Sequence, residues 1–356
     1  MLADPSALNR RALSRRALMR LAAVCAALPA ARTARAETAL VGPDDEPTLL
    51  VAGPADSRTA DWARLLRLPL TNNLTTAGAL RLRFAGGLDG VTGANHFEAQ
   101  AMPDGSQALL FPGSAALAWM AGDSRVRFEM DHLMPLAALA TTDVVMLRGG
   151  LDAVARKAPL RLPCGTAPEP ALTALMALDM LGIAAVTVPP LPDPAACIRA
   201  GTADAVFLSG DDVPGQIEAM RGAGLEPGFI TGLRPHGELP AGHPLQGVPH
   251  LLSLVEPARR GADPLVAAWR SVAASSSLEV VLALPRVSTA PAITDWRQAC
   301  AAGLATPSMQ QQFSRRSVRL LSDAEASGVL AIVRGDAAAQ AALRRWLSAR
   351  VNWRPA

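Results

Sequence analysis

The sequence predicts an α/β protein of two lobes, each a mostly parallel sheet flanked by helices. Two observations point there. The chain has 356 residues, half of them apolar, more than one hydrophobic core usually holds. Short apolar runs alternate with stretches of helical periodicity, the pattern of a parallel sheet covered by helices, and the pattern starts afresh near residue 160.

The elements follow in order. Thr48–Ala52 is an apolar run stopped by Gly53-Pro54, which reads as a buried strand entering a loop. From Thr59 the period becomes helical, with Trp62, Leu65 and Leu66 on one face. Leu80–Phe84 alternates as a strand, Gly86-Gly87 and Gly90 break it, and a helix runs through Phe97 to Ala101. Ala108–Phe111 is a third strand and Thr142–Leu147 another. The middle repeats this order: strand Leu160–Leu162, helix Glu169–Leu181, strand Ala184–Val188, helix Pro194–Ala200, strand Ala205–Leu208, helix Val213–Ala223. The last third holds a strand, Leu278–Leu284, and amphipathic helices at Ile293–Leu304 and Asp336–Val351.

The first 36 residues read as an address. Seven Arg precede or flank a short apolar run, Leu21–Ala30, and Ala34-Arg35-Ala36 fits a small-x-small cleavage site after Ala36. The run is far below the ~20 residues that span a bilayer. Arg15-Arg16 after Ser14 resembles a twin-arginine (Tat) signal; an Arg-rich general secretory signal is the alternative. Without residues 1–36 the chain holds 27 basic and 30 acidic residues, so the formal charge of +3 belongs to the leader. No basic block remains to grip nucleic acid. The expected location is periplasmic. Cys164, Cys197 and Cys300 follow the leader. Cys164 and Cys197 are open to pairing in an oxidising compartment, and small buried thiols are the other reading.

Several stretches, in order, resemble the Bug family, the tripartite tricarboxylate transporter receptors. Thr59–Leu66 is similar to the family's first helix. Gly93-Ala94, Ala101-Met102-Pro103-Asp104-Gly105 and Leu109-Leu110 resemble its Gly-Ala…Ala-x-Pro-Asp-Gly-x-x-Leu-Leu signature. Phe128 and Asp131–Leu136 resemble its Asp-Phe-x-Pro-Val segment, and Val188-Pro189 with Ile198 to Phe207 its Val-Pro…Gly-x-Val-Asp stretch. Gly247-Val248-Pro249 is similar to its Asp-Val-Pro. The likeness spans about residues 45–325. It implies a type II periplasmic binding protein whose lobes close on a solute. Lobe one is then 37–146 and 233–356, lobe two is 147–232, and the chain crosses near 146–150 and 226–233.

Family ligands are small carboxylates, held largely by N–H groups at helix starts. A helix start offers unpaired donors and the positive end of the dipole. By position, the resemblance implies Asp56, Ser57, Arg58, Thr59, Ser114, Ala115, Gly165, Thr166, Ala167 and Asp204 as ligand-binding residues. The chain departs from the family in its first loop, where Ala55-Asp56-Ser57-Arg58 replaces Pro-Gly-Gly, and at Pro190-Leu191-Pro192, where the family's Tyr and Lys are gone. Arg58 suits a carboxylate in bidentate fashion, and Asp56 suits an amino group; solvated loop charges are the plain alternative. Ser57 and Thr59 also fit helix caps.

Enzyme motifs are missing from the sequence. No Gly-x-Ser-x-Gly elbow occurs. His236, His243 and His250 are spaced by seven but interrupted by Gly and Pro, and no His-Glu-x-x-His exists. Gly86–Gly90 lacks a dinucleotide or phosphate-loop spacing. Asp211-Asp212 reads as a helix start. The expectation is a solute receptor for a permease or sensor, with no cofactor, metal or catalytic residue. The alternatives are a non-binding descendant of the same fold and a secreted α/β hydrolase.

Overall fold

The computed structural model describes residues 46–75, 78–152, 158–165, 168–190, 193–232 and 243–354. The expected leader, Thr166, Ala167 and His236 lie outside these residues. The first part runs β1 (Thr48–Ala52), α1 (Arg58–Thr71), β2 (Arg81–Ala85), α2 (Val91–Gln100), β3 (Gln107–Phe111), α3 (Gly113–Ala121) and β4 (Leu133–Ala140). The middle runs β5 (Val144–Arg148), β6 (Leu160–Pro163), α4 (Leu172–Met180), β7 (Ala185–Val188), α5 (Pro194–Arg199), β8 (Ala205–Leu208), α6 (Val213–Gly222) and β9 (Leu225–Ile230). Then come α7 (Leu251–Leu254), α8 (Pro257–Ala262), α9 (Pro264–Ser276), β10 (Leu278–Pro285), α10 (Ala290–Leu304), α11 (Pro307–Arg315), β11 (Arg319–Leu321), α12 (Asp323–Arg334) and α13 (Ala337–Val351).

A six-stranded sheet has the order β11-β4-β10-β3-β1-β2. β1 lies parallel to β2 and β3, as helical crossovers require. β10 is antiparallel to β3 and β4, and β11 to β4, so the sheet is mixed. Leu49, Val51 and Leu110 pack with Trp62, Leu66 and Trp296 on one face. Leu50, Ala52, Leu109 and Phe111 pack with Phe97, Ala115 and Val329 on the other. Burial on both faces explains why β1 is an unbroken apolar run. α2 can lie this close to the sheet because of Gly93, where a Cβ would come within 2.5 Å of Ala52 Cα.

The middle of the chain forms a three-stranded antiparallel sheet, β8-β5-β9, and the parallel pair β6–β7. One core unites Val145, Leu162 and Leu175 of this part with Leu117 of α3, Trp269 of α9 and Leu343 of α13. Cys164 belongs to that core and Cys197 to another, and the three described cysteines are buried and unbonded. No described helix is long and apolar enough to cross a membrane.

The chain leaves the six-stranded sheet at Ala140 and enters the three-stranded one at Val144. Asp143, fully buried, ties these passages together. Its Oδ1 accepts from Thr141 Oγ1 at 3.1 Å, its Oδ2 lies 2.9 Å from Ser277 Oγ, and its carbonyl accepts from Thr231 N at 3.0 Å. Burial pushes its carboxyl up to about 8, the hydrogen bonds from Ser277 and Thr141 work against that, and the Glu279 charge adds to it.

Candidate functional site

A hollow of about 190 Å³ opens where β1, β3 and β10 hand over to their neighbours. Ser57, Arg58 and Thr59 at the start of α1 line it, together with Gly113 and Ser114 at the start of α3. Ser275, Ser276, Leu278 and Glu279 form the α9–β10 side, and the middle of the chain contributes Pro170 and Ser209. A larger hollow of about 550 Å³ lies between β4, α10 and β11, but it is mainly apolar and its Arg297 is already paired with Asp323 at 3.0 Å. The smaller one is the candidate site because polar groups converge on it.

Local sequence builds this convergence. After Gly53-Pro54, Ser57 adopts extended backbone and caps α1: its hydroxyl accepts from Ala60 N at 3.2 Å and donates to the Pro54 carbonyl at 2.6 Å. α3 begins behind Pro112 with no side-chain cap. Among the described residues, no group accepts from the N–H of Arg58, Thr59, Gly113 or Ser114. Two helix starts, each with free donors and a positive dipole end, therefore border one hollow. Gly113 lets α3 come this close, because a Cβ there would overlap the Ser275 carbonyl oxygen.

The charged groups are arranged around Arg58. Its Nη1 donates to Glu279 Oε1 at 3.1 Å, and its Nε lies 3.9 Å from Asp211 Oδ1. Glu279 Oε2 accepts from the buried Trp62 Nε1 at 3.2 Å. Burial pushes the Glu279 carboxyl up, and the Arg58 charge opposes this. The guanidinium of Arg58 occupies the space above Gly210, where any side chain would collide with it. Arg316 lies 4.9 Å from the Trp62 ring centroid and 3.5 Å from Asp211 Oδ2, and its carbonyl accepts from Asp212 N at 2.9 Å. Arg58 and Arg316 thus hold the loop after β8 against the six-stranded part.

The structure gathers Ser57, Arg58, Thr59 and Ser114 in this hollow. Ala115 is buried in the adjoining core, and Asp56 is exposed outside the lining. Arg58 is half exposed and ion-paired with Glu279. Asp204 is not among the lining residues either. It holds Arg161 through bonds of 2.7 and 2.9 Å and lies 3.4 Å from Arg148, and the Arg161 guanidinium keeps its carboxyl below the usual range. Gly165 donates to the Glu169 side chain, outside the hollow. His243 Nδ1 accepts from Leu245 N, and His250 Nδ1 from Leu252 N. Ser209, Ser275, Ser276 and Glu279 were not anticipated. The one signal for Glu279 is a lone acid inside an apolar strand run.

No protein-family model and no curated protein matches the sequence. Solved structures do match its fold. A TctC solute-binding protein from Polaromonas, without ligand, superposes with a TM-score of 0.63 at 15% identity, covering 84% of this chain and 98% of that one. A periplasmic transporter gives a TM-score of 0.56 at 17% identity, covering 84% and 97%. MatC from Rhodopseudomonas palustris with bound malate gives 0.50 at 17% identity, covering 85% and 98%. The fold is therefore that of the periplasmic solute-binding proteins, a mixed α/β architecture.

Proposed function

We propose that this chain, which has the fold of periplasmic solute-binding proteins, captures a small organic anion in the hollow between the starts of α1 and α3. The observation that carries this is the set of four N–H groups, of Arg58, Thr59, Gly113 and Ser114, that have no acceptor among the described residues and belong to residues lining one cavity. The reading is a binding protein and not an enzyme. Each hydroxyl of Ser57, Ser114 and Ser275 donates to a carbonyl oxygen, at 2.6, 3.2 and 2.6 Å, and among the described residues none is bonded to a side-chain base. The two lobes are the six-stranded part and the residues 144–230 part, hinged around Asp143. Malate in the R. palustris protein of the same fold supports a carboxylate as the solute. A permease or sensor is the downstream partner of such a receptor.

A thermal-shift panel of small organic acids tests the reading. A true ligand raises the melting temperature in proportion to the logarithm of its concentration. Ser114→Glu, which places a negative charge at the α3 start, should abolish that rise. A panel that never shifts the wild-type protein favours a descendant that has lost binding. Delivery is by the leader: Arg15→Lys with Arg16→Lys should hold the precursor in the cytoplasm, and unchanged export would leave only the general secretory route.

A further inference from the structure

The hollow carries its own selectivity. Glu279, with a side chain only 6% exposed, lines the cavity. Each of its oxygens already accepts one hydrogen bond, from Arg58 or Trp62, and each keeps a second lone pair. Asp211 adds a second negative charge beside Arg58, so the guanidinium is neutralised before any solute arrives. The free positive character of the site is then confined to the two helix starts. The hollow is small, about 190 Å³, and only partly enclosed.

Resting on the solute-capture reading above, we propose that the site selects a short monocarboxylate carrying a hydrogen-bond donor, hydroxyl or ammonium, next to its carboxylate. The carboxylate sits at the α1 and α3 starts and the donor faces Glu279. Di- and tricarboxylates are rejected, because a second carboxylate meets the negative charge of Glu279 in the lining and that of Asp211 beside Arg58. This sets the chain apart from the malate-bound protein of the same fold.

Calorimetric titration of the exported full chain with lactate, alanine, malate and adipate tests it. Lactate or alanine should bind at least tenfold more tightly than malate and adipate, and which of the two wins identifies the donor. Glu279→Gln should narrow that ratio at least tenfold by improving malate. Asp211→Asn, on a half-exposed loop, should narrow it in the same direction and stands in if Glu279→Gln fails to fold. Malate or adipate binding the wild type as tightly as the monocarboxylates overturns the inference and leaves solute capture standing. So does an unchanged ratio in both variants. Binding of none of the four overturns the inference together with the reading beneath it.

Discussion

Ser277 Oγ lies 2.9 Å from Asp143 Oδ2 and 2.9 Å from the Ala273 carbonyl oxygen. One hydroxyl proton cannot serve both. Burial favours the neutral carboxyl at Asp143, which relieves that competition, while Thr141 donates to the other carboxyl oxygen. Folded Asp143 therefore keeps its proton up to about pH 8, whereas an unfolded aspartate loses it near 3.8. The folded-state value is raised, so the stabilisation is complete below pH 4 and is lost as pH rises toward 8. Its slope is about 1.4 kcal/mol per pH unit within that window. Glu279, also raised, adds in the same direction. Urea unfolding from pH 5 to 8 should show stability falling, and Asp143→Asn, which keeps a donor toward Ser277, should flatten the fall. Equal slopes in both proteins would return Asp143 to the charged state.

Arg58 is half exposed, yet its partner Glu279 is almost wholly buried. Removing the guanidinium leaves a buried carboxylate with, among the described residues, only Trp62 as donor. Arg58→Ala should cost about 1–2 kcal/mol, a figure reduced from that of a fully buried pair because solvent screens the cation. Glu279→Gln in the same chain should restore most of that loss. A double-mutant cycle by urea denaturation reads the coupling, and a coupling of zero would make the pair a surface accident.

Much of the scaffold is legible from residue patterns, and the exceptions have causes. β1, β3 and β8 are short apolar runs buried on both faces, so their hydrophobicity marks them. β4 is central in its sheet yet reads Leu-Met-Pro-Leu-Ala-Ala-Leu-Ala, weak in strand-forming residues and interrupted by Pro135. That proline sits where the β10 register shifts, the place a strand tolerates a missing N–H. In the site, Ser57, Arg58 and Thr59 are legible because caps and loop position speak locally. Glu279 is 221 residues from Arg58, and only the strand order brings them together. Asp204 illustrates the converse. Its sequence context matches a site acid, and the structure pairs it with Arg161, outside the lining of the hollow.

That distinction is measurable. Asp204 accepts from Arg161 Nε, Nη2 and backbone N, so Asp204→Ala should cost about 1–2 kcal/mol of stability through lost charge-assisted bonds. Solute affinity should stay within twofold of wild type, because Asp204 does not line the hollow. A large loss of affinity with normal stability would move Asp204 back into the site.

Two helix glycines should respond to alanine with opposite signs. Gly328 lies exposed within α12 with nothing within 4 Å of where a Cβ would stand. There alanine restricts only the unfolded chain and improves helix propensity, so Gly328→Ala should stabilise by about 0.4–1 kcal/mol. Gly113 opens α3 against β10, and its Cβ would overlap the Ser275 carbonyl and stand 2.7 Å from the Leu278 carbonyl oxygen. Both obstacles are backbone, so α3 itself has to move, at about 1–3 kcal/mol for an overpacked core position. The movement carries the N–H groups of Gly113 and Ser114 out of register with those of Arg58 and Thr59. Gly113→Ala should therefore lose solute binding as well as stability, while Gly328→Ala leaves binding intact. Thermal unfolding and calorimetry on the two proteins read both effects. A Gly113→Ala protein that binds like wild type would separate the α3 start from the site.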